Sequence, residues 1–546
     1  MDLAVVTTIR ILIIDNVVSA KKHFTSPLEQ IGFRDIQYVE STSRALLAIE
    51  KLPFDLIICA YSIQTEHDGL YFYEQLLQLK LLNSKTGFIF TNATTSFEII
   101  QSIVDLPPDD FIAKPVNTQK LAERIHRVYK KKQGMSATCE FIGQQKYNSA
   151  LTEVDKVLSS QSNRELFPIA LKTKGDLLLL SQRYTDADAF FTSMLKVQTL
   201  SWAEVGFIKC LIALDQDDEA EKKIIELACK RETKTIAYEL LAILHVKHNK
   251  FNEALESTIM ATESSPKNFK LQNTVRLLAK LSHAHETEFD VTKRMLTFAK
   301  NSVKESPQLY KNAVRAGIDY AMSAEPKQLH DIMNATKQFL TQLKKNYAID
   351  EHAEEVKVMQ ARILYLQNEN GKALEIVEQF SRDNSLKSDE ALLDKAKALH
   401  EVGLKDDAIA LYNVLEARAQ QRINYIDGQL SDSWLLSTLI SKEKLEKLEK
   451  LRIQLNLKEL NKEGIQAFNT GNFAKAFEIF SQASTLMPKN AAIALNLLHV
   501  ISKLQMSTAI SELGLHIRRS IDVLEQKKLN FEHSQKYKKL RNLLNV

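Results

Sequence analysis

Polar side chains that are suited to chemistry follow several short apolar runs in the N-terminal region. Asp15 and Asn16 come directly after the run 9–14, Thr91 follows 87–90, and Lys114 follows 111–113. Because the carboxyl ends of parallel strands meet at one edge of a sheet, we expect these side chains to lie where an α/β domain places its functional groups. The run 54–59 has the pattern of a strand buried on both faces, and it ends at Ala60. At that position the sequence supplies only a methyl group.

The elements that position these residues alternate between apolar strands and amphipathic helices. Strands are predicted over 9–14, 35–39, 54–59, 87–90 and 111–113. Helices are predicted over 24–31, 43–52, 70–81, 97–104 and 121–129, and the first of them stops at Gly32. This alternation predicts a doubly wound α/β domain in which helices cover both faces of a parallel sheet.

The strand ends resemble those of bacterial response-regulator receiver domains, which have a flavodoxin-like fold. The matching residues are Asp15-Asn16 after the first strand, Ala60 after the third, Asp68-Gly69-Leu70 at the next helix, Thr91 after the fourth strand, Phe111 on the fifth, and Lys114-Pro115 after it. In the family, the position of Ala60 holds the aspartate that accepts a phosphoryl group. The lysine–proline peptide of the family is often cis.

The departures from the family's motif predict a domain that cannot transfer phosphate. The resemblance implies that the acidic pair and the acceptor aspartate together hold Mg²⁺, which requires oxygen ligands. Here Asn16 is neutral and Ala60 has no oxygen, so of these three positions only Asp15 keeps its acid. Mg²⁺ binding is therefore expected to be weak or absent, and no catalytic residue is predicted. Thr91 and Lys114 then have no reaction to assist, and Lys114 is expected to pair with Asp15.

Two other aspartates become candidate acceptors only if the alignment slips. Asp55 precedes the apolar run and is expected at the opposite end of the strand, roughly 17 Å from the pocket at about 3.3 Å per residue. Asp68 lies on the loop or at the helix start, where a helix N-cap explains it. Neither position is suited to the family's reaction.

Paired amphipathic helices repeat along residues 133–500 with a period of about 34 residues. The most regular unit contains Gly464, Ala467, Phe473, Ala476 and Phe480, and it resembles a tetratricopeptide (TPR) repeat. Residues 270–355 are helical but irregular, and a worn repeat is predicted around Trp434. We therefore predict a receiver-like domain over 1–132, an all-α TPR-like superhelix over 133–500, and capping helices over 501–546.

In the TPR family, the first helices of the pairs line a concave surface that binds peptides or helices of partner proteins. The residues predicted to point into this groove are Lys172, Asp176, Glu239, Ile243, Asn461, Ile465 and Asn469. They do not form the lysine, asparagine and arginine clamp of chaperone-binding repeats, so capture of a C-terminal peptide in that manner is disfavoured. Segment 442–458 alternates Lys, Glu and Leu, and a solvated repeat helix is favoured there over a coiled coil.

Composition disfavours several classes of function. A formal net charge of +4, from 72 Lys+Arg against 68 Asp+Glu, is not the charge pattern of a nucleic-acid-binding protein. No apolar run is long enough to cross a membrane and no signal peptide is recognised, so a cytoplasmic protein is expected. The cysteines are dispersed, and the His245/His248 pair is expected at the surface, so neither disulfides nor a metal site are predicted.

Together these expectations favour a non-enzymatic adaptor in bacterial two-component signalling. By the resemblance, the receiver-like domain would dock a histidine kinase or another response regulator, while the array would hold a second protein or fold back on the first domain. Two alternatives stay open: a phosphatase-type modulator of a partner's phospho-aspartate, and a general TPR scaffold unrelated to phosphorelay. Nucleic-acid binding through the basic tail is disfavoured by the balanced charge.

Overall fold

The computed structural model describes residues 7–16, 18–63, 69–93, 108–300, 304–348, 352–380, 386, 388–422, 432–486, 490–504, 513–525 and 531–544. The chain divides into two compact units, Met1–Ile440 and Ser441–Val546. Within the described ranges, no helix combines the length and the apolar composition that crossing a bilayer requires.

A five-stranded parallel sheet opens the first unit. Its strands are β1 (Arg10–Ile14), β2 (Asp35–Val39), β3 (Leu56–Ala60), β4 (Gly87–Asn92) and β5 (Asp110–Ala113), in the order β2-β1-β3-β4-β5. Helices α1 (Val18–Ile31) and α4 (Thr118–Gly143) cover one face, and α2 (Thr42–Lys51) and α3 (Gly69–Gln78) cover the other. The predicted doubly wound α/β fold is confirmed. The helix predicted over 97–104 lies outside the described residues.

Two strands at the centre of the sheet are continuously apolar over Ile11–Ile14 and Leu56–Ala60 because both of their faces are covered. On β1, Ile11 and Ile13 pack with α1 and α4, whereas Leu12 and Ile14 pack with α2 and α3. The edge strand β2 is largely exposed or half-buried along its length. Burial on two faces therefore explains why the sequence pattern of β1 and β3 is continuous rather than alternating.

Helix α4 contributes to two hydrophobic cores. Leu121 and Ile125 pack in the core of the sheet domain, and Met135 packs in the core of the first helix pair. The helix runs through Gly134 without a break, and its 26 residues include the basic segment 130–132. Lys132 pairs with an aspartate at the start of β5, Asp109, at 2.9 Å. One continuous helix thus joins the sheet domain to the helical array.

The rest of the first unit is a series of helices in which neighbours along the chain pack on each other. They are α5 (Tyr147–Ser159), α6 (Phe167–Leu180), α7 (Tyr184–Val197), α8 (Ser201–Ala213), α9 (Asp217–Ala228), α10 (Lys234–Lys247), α11 (Phe251–Ser264), α12 (Phe269–Leu281), α13 (His285–Ala299), α14 (Pro307–Ser323), α15 (Pro326–Asn346), α16 (Ala353–Leu366), α17 (Asn370–Glu378), α18 (Asp389–Glu401) and α19 (Lys405–Arg422). A 3₁₀ turn, Gln161–Leu166, separates α5 from α6. The even-numbered helices α6 to α18 are the first helices of their pairs.

The helix pairs share one turn geometry. A residue with positive φ lies in the turn between the first and second helix of a pair, where a left-handed residue ends a helix and redirects the chain. These residues are Gln145, Gln182, Asp215, Asn249, His283, Asn368, Gly403 and Gly471. The turn between α14 and α15 differs, since Ala324 and Glu325 both have negative φ. The repeat geometry therefore continues into 270–355 through α12 and α13 and is interrupted at α14 and α15.

Small and aromatic residues fill equivalent places in the two units. In the first unit, a Cβ added to Gly175 would lie 2.7 Å from the ring of Phe191, and one added to Gly206 would lie 2.2 Å from it. In the second unit, a Cβ at Gly464 would lie 2.8 Å from the ring of Phe480. The aromatic ring of the second helix therefore needs a glycine on the first helix, as the TPR-like grid predicted.

The second unit is helical, and the helix at the division between the units corrects one prediction. Helix α20 (Asp432–Asn469) is a single helix of 38 residues, so the worn repeat predicted around Trp434 is not a helix pair. The segment predicted as a solvated repeat helix or coiled coil, 442–458, lies inside α20. It is followed by α21 (Phe473–Leu486), α22 (Ala491–Leu504), α23 (Gly514–Glu525) and α24 (Phe531–Leu544).

Candidate functional site

Four of the residues predicted at the strand ends meet at one edge of the sheet. In the pairing of β1 with β3, the residue before Asp15 lies opposite the residue before Ala60. Ala60 in turn lies opposite Thr91 on β4, and Lys114 follows the last residue of β5. We call Asp15, Ala60, Thr91 and Lys114 the strand-end pocket.

Asp15 and Lys114 form an ion pair in the strand-end pocket. Nζ of Lys114 lies 2.5 Å from Oδ2 of Asp15, whose side chain is 2% exposed while that of Lys114 is 25% exposed. The same ammonium lies 5.8 Å from the centroid of the Phe24 ring, within the range of a cation–π contact. The structure therefore forms the pair expected from the sequence, and the pair occupies a carboxylate oxygen that a metal ion would need.

The edge strand fixes the backbone of Asp15. The Asp15 N–H donates to the Val39 carbonyl at 3.2 Å, and the Asp15 carbonyl accepts a hydrogen bond from the Tyr38 hydroxyl. Burial, and then the nearby carboxylates of Asp15 and Glu40, raise the pKa of Tyr38 to about 12. The hydroxyl therefore stays protonated near neutral pH and remains a donor.

Ala60 and Thr91 form the side of the pocket next to β4. Ala60 is 3% exposed, and Thr91 is equally buried. The Thr91 hydroxyl lies 3.5 Å from the Cys59 carbonyl, and the Thr91 carbonyl accepts from the Tyr61 N–H at 2.8 Å. Thr91 is thus engaged with the backbone at the end of β3. The methyl group of Ala60 supplies no nucleophile, acid or base.

Helix α3 begins directly against the end of β3. The Gly69 N–H donates to the Tyr61 carbonyl at 3.0 Å, and a Cβ at Gly69 would lie 2.0 Å from the Ala60 carbonyl oxygen. This close backbone approach requires a glycine at position 69. Cys59 is buried beside Ala60, and burial followed by the Asp15 carboxylate raises the pKa of its thiol. The thiol is therefore not an activated nucleophile.

The residues described at this edge do not fit a Mg²⁺ ion. Mg²⁺ prefers octahedral oxygen ligands that include carboxylates. The carboxylate of Asp15 is already paired with Lys114, and the neighbouring Asn16 is a half-buried neutral amide. No group of three His, Cys, Asp or Glu that could hold a metal occurs among the described residues. Glu66 and Asp68 of the following loop lie outside them.

Phe111 and Asp55 take structural positions in this domain. Phe111 lies opposite Phe90 on the neighbouring strand and packs against the core beneath α2 and α3. Asp55 precedes β3 at the other end of the sheet, where its carboxylate accepts from the Arg10 N–H at 2.9 Å. The peptide bond between Lys114 and Pro115 is cis.

Four of the predicted groove residues lie on first helices of the first unit. Lys172 and Asp176 are exposed on α6. Glu239 is half-buried on α10, and Ile243 is 6% exposed one turn further along the same helix. The other three predicted groove residues, Asn461, Ile465 and Asn469, lie on the part of α20 that belongs to the second unit.

The α20 residues differ in their surroundings. Asn461 accepts a hydrogen bond from Nδ2 of Asn496 on α22 at 3.0 Å. Ile465 is 43% exposed, and Asn469 is exposed near the end of the helix. Asn461 is therefore engaged within the second unit, whereas Ile465 and Asn469 face solvent.

A cavity of about 230 Å³ opens between the first helices α8, α10 and α12, and we call it the first-helix cavity. Its lining includes Val205, Lys209, Ile236, Glu239, Ile243 and Lys270. The sequence predicted Glu239 and Ile243 but not the two lysines. Asp176, Lys209 and Ile243 follow one another at intervals of 33 and 34 residues, so the repeat period applied to Asp176 identifies Lys209.

The first helices from α12 to α18 carry a different arrangement, which we call the ionic network. Its members are Arg276, Lys280, Lys311, Arg315, Asp319, Glu354, Glu355, Arg362, Glu390, Asp394, Lys395, Lys397 and Glu401. Arg362 is 1% exposed and lies 2.9 Å from Asp319, 2.5 Å from Asp394 and 2.7 Å from Glu401. Burial alone would lower the pKa of the guanidinium, but these carboxylates hold it well above its usual value.

The ionic network pairs the chain's own charges between the first helices α12, α14, α16 and α18. Arg276 binds both carboxylate oxygens of Glu390, a residue 114 positions away, at 3.0 and 2.8 Å. Lys397 bridges back to Asp319 at 3.0 Å. Such bidentate and multiply bonded pairs are the strong ones in protein interiors. These charges are therefore largely paired within the chain, beside a cavity of about 260 Å³ that Arg276 and Glu390 help to line.

Comparison with known proteins agrees with the architecture of the N-terminal region. Residues 11–126 match the family described as response regulator receiver domain. A probable chemotaxis protein CheY from Rhizobium etli is 23% identical over 127 residues, which are 23% of this chain and 97% of that protein. Residues 11–126 thus form a receiver domain.

Solved structures are similar to parts of the chain. The chemotaxis response regulator CheY4 of Vibrio cholerae is 21% identical, with a TM-score of 0.21, and covers 22% of this chain and 99% of its own. A tetratricopeptide repeat protein from Parabacteroides merdae is 12% identical, with a TM-score of 0.29, and covers 57% of this chain and 99% of its own. The paired helices and their shared turns make the remainder of this chain TPR-like.

Proposed function

We propose that this chain is a non-enzymatic adaptor of two-component signalling, in which a receiver domain acts by contact rather than by accepting phosphate. The observation that carries the proposal is the strand-end pocket. A buried methyl group lies where the family has its acceptor aspartate, and the remaining acid is paired with Lys114.

Phosphoryl transfer needs groups that this pocket does not offer. A carboxylate must attack the phosphorus atom, and positive charge must neutralise the phosphoryl oxygens while the reacting atoms are held in line. Ala60 has no oxygen to attack with, and the Lys114 ammonium already neutralises Asp15. Mg²⁺ binding is accordingly expected to be weak or absent.

The receiver domain keeps surfaces that suit contact with another protein. Leu47 is 56% exposed on α2, and Leu77 is 42% exposed on α3, so both helices on one face of the sheet present apolar side chains to solvent. Leu52 and Leu79, just beyond the ends of these helices, are 49% and 53% exposed. We propose that these exposed apolar side chains contribute to a protein-binding surface. A histidine kinase or another response regulator is the partner we propose for this face.

The helical array supplies a second surface in the same chain. Because α4 contributes to both hydrophobic cores, a partner held by the receiver domain is carried together with the first helix pairs. The chain is thus suited to bringing two proteins together, which is the action of an adaptor.

A panel of purified histidine kinases and response regulators from the same cell tests this proposal. Kinases autophosphorylated with labelled ATP are passed over the immobilised full chain, and retention and label transfer are measured together. We expect a kinase or regulator to be retained while its label stays on it. The Leu47→Ser variant should lose retention, whereas Val197→Ser, at a residue 84% exposed on α7, should not. Retention of none of these proteins, or transfer of label to the chain, would contradict the proposal.

A further inference from the structure

The first-helix cavity combines apolar walls with lysines. Ile236 is 40% exposed at its rim, and Ile243 and Val205 form part of its wall. At about 230 Å³ the cavity is smaller than the roughly 300–1,000 Å³ of sites for drug-sized ligands. Its size therefore suits side chains of a bound peptide rather than a cofactor.

Lys209 lies in the cavity without a carboxylate at ion-pair distance. In the part of the chain that the structure describes, no Asp or Glu oxygen lies within 4.0 Å of its ammonium, although it is half-buried. Burial lowers the pKa of Lys209, and the more distant Asp176 and Glu239 only partly oppose this. A partly desolvated ammonium of this kind gains more from a ligand carboxylate than a solvated one does.

The charges around the cavity are predominantly positive. Lys209 and Lys270 line it together with Glu239, and Lys172 and Asp176 lie near enough to influence the pKa of Lys209. Among the residues that line the cavity, Glu239 is the one carboxylate beside the two lysines. A ligand that brings a negative charge is complementary to this surface.

We propose that the first-helix cavity binds a segment of a partner protein in which an acidic side chain pairs with Lys209 and Lys270 and a neighbouring Leu, Ile or Phe packs on Ile236 and Ile243. This deepens the proposed adaptor function and rests on it, since it specifies the chemistry of the second partner. The charges of the ionic network pair with one another, whereas Lys209 in this cavity has no carboxylate at ion-pair distance among the described residues.

A random 12-residue peptide library displayed on phage and selected on the immobilised full chain tests the proposal. We expect the enriched peptides to carry Asp or Glu within a few positions of Leu, Ile or Phe. Fluorescent copies of them should bind Lys209→Glu at least ~10-fold more weakly than the unaltered chain. Lys223→Glu, on the second helix α9 with a side chain 42% exposed, should bind them unchanged.

A second variant and a charge-reversed peptide keep the proposal testable if Lys209→Glu does not fold. Thermal unfolding identifies a Lys209→Glu chain that fails to fold, in which case Lys270→Glu takes its place. A peptide whose acidic residue is replaced by Lys should regain binding to the charge-reversed chain. Enrichment of basic peptides, no enrichment, or equal binding to a charge-reversed cavity variant and to the Lys223→Glu control would overturn the proposal. A negative result in the peptide experiment does not change the kinase retention or the label transfer that test the adaptor function. The two proposals can therefore fail independently of each other.

Discussion

The ionic network of the array and the strand-end pocket of the receiver domain both bury carboxylates, but they neutralise them differently. In the network, Arg362 alone contacts three carboxylates, and Asp319 is shared between Arg362 and Lys397. In the pocket, one carboxylate meets one ammonium. The network therefore links four first helices, whereas the pocket holds together only two strand ends.

Under the proposed function, a site that other receiver domains use for chemistry serves here as a structural contact. In the receiver family, several acidic side chains lie at this edge of the sheet, and their mutual repulsion favours the binding of a cation. With Asn16 and Ala60 at positions where the family has acids, Lys114 at the end of β5 suffices to neutralise Asp15. In the ionic network, many acidic and basic side chains neutralise one another. In the first-helix cavity, Lys209 has no close carboxylate to neutralise its charge.

Removing the centre of the ionic network should have the largest effect. Arg362→Leu leaves three carboxylates buried with fewer counter-charges, and we expect a loss of about 3–5 kcal/mol in the free energy of unfolding of the first unit. Urea unfolding followed by circular dichroism measures it. Arg183→Leu removes an exposed arginine that pairs with Asp186 and should cost at most about 1 kcal/mol. Equal losses for both variants would show that the network is not a structural centre.

Acid should weaken the network through Glu390. Burial opposes its ionisation, but the charge of Arg276 outweighs this and lowers the pKa of Glu390 from 4.5 to about 2. A carboxyl with a depressed pKa contributes stability fully above pH 4.5 and loses it as the pH falls toward 2, a contribution of about 3 kcal/mol. Glu390→Gln should therefore lose less stability than the unaltered chain between pH 5 and about 3.

Urea unfolding at several pH values checks this dependence. Glu226→Gln, at an exposed position on α9, is the control and should follow the unaltered chain. If Glu390→Gln also follows it, then the acid sensitivity of the first unit comes from other carboxyls.

Breaking the single pair of the strand-end pocket should have a smaller effect. Lys114→Met keeps the stem of the side chain but leaves Asp15 buried without its ammonium, and we expect a loss of about 1–2 kcal/mol. The double variant with Asp15→Asn should recover much of it, because no unpaired charge remains. A double-mutant cycle gives the coupling energy. A coupling near zero would mean that Asp15 is stabilised mainly by its backbone contacts.

Placing an aspartate at position 60 should have the smallest effect, measured as phosphorylation of the chain. Ala60→Asp supplies a carboxylate, but Asn16 stays neutral and Lys114 already binds Asp15. We expect little labelling of this variant by acetyl phosphate, and more from Ala60→Asp combined with Asn16→Asp. Strong Mg²⁺-dependent labelling of the single variant would show that our account of the metal ligands is wrong.

The sequence predicted the sheet domain well because its signals are local. The strand 35–39 agrees with β2, and the strand ends place Asp15, Ala60, Thr91 and Lys114 together as expected. Parallel strands impose this convergence, so no long-range information was needed. Helix α4 extends well beyond the predicted 121–129, since Gly134 is held by packing against Leu166 rather than ending the helix.

The sequence predicted the helix pairs of the array and the contacts within one repeat, but not the contacts between distant repeats. The Gly175–Phe191 and Gly464–Phe480 contacts follow from spacing within one repeat. The pair Arg276–Glu390 joins residues 114 positions apart, and no local periodicity indicates it. The repeat period reaches Lys209, 33 residues after Asp176, but the repeat that contains it matches the TPR grid only loosely.

Labelling of the full chain by radioactive acetyl phosphate in the presence of Mg²⁺ tests the central claim most directly. Because position 60 has no carboxylate and Asp15 is paired with Lys114, we predict no covalent label on residues 1–132. A phosphorylatable receiver domain, treated in the same way, is the positive control and should be labelled. Mg²⁺-dependent label on this region, removed by hydroxylamine as an acyl phosphate is, would contradict a receiver domain that acts by contact alone.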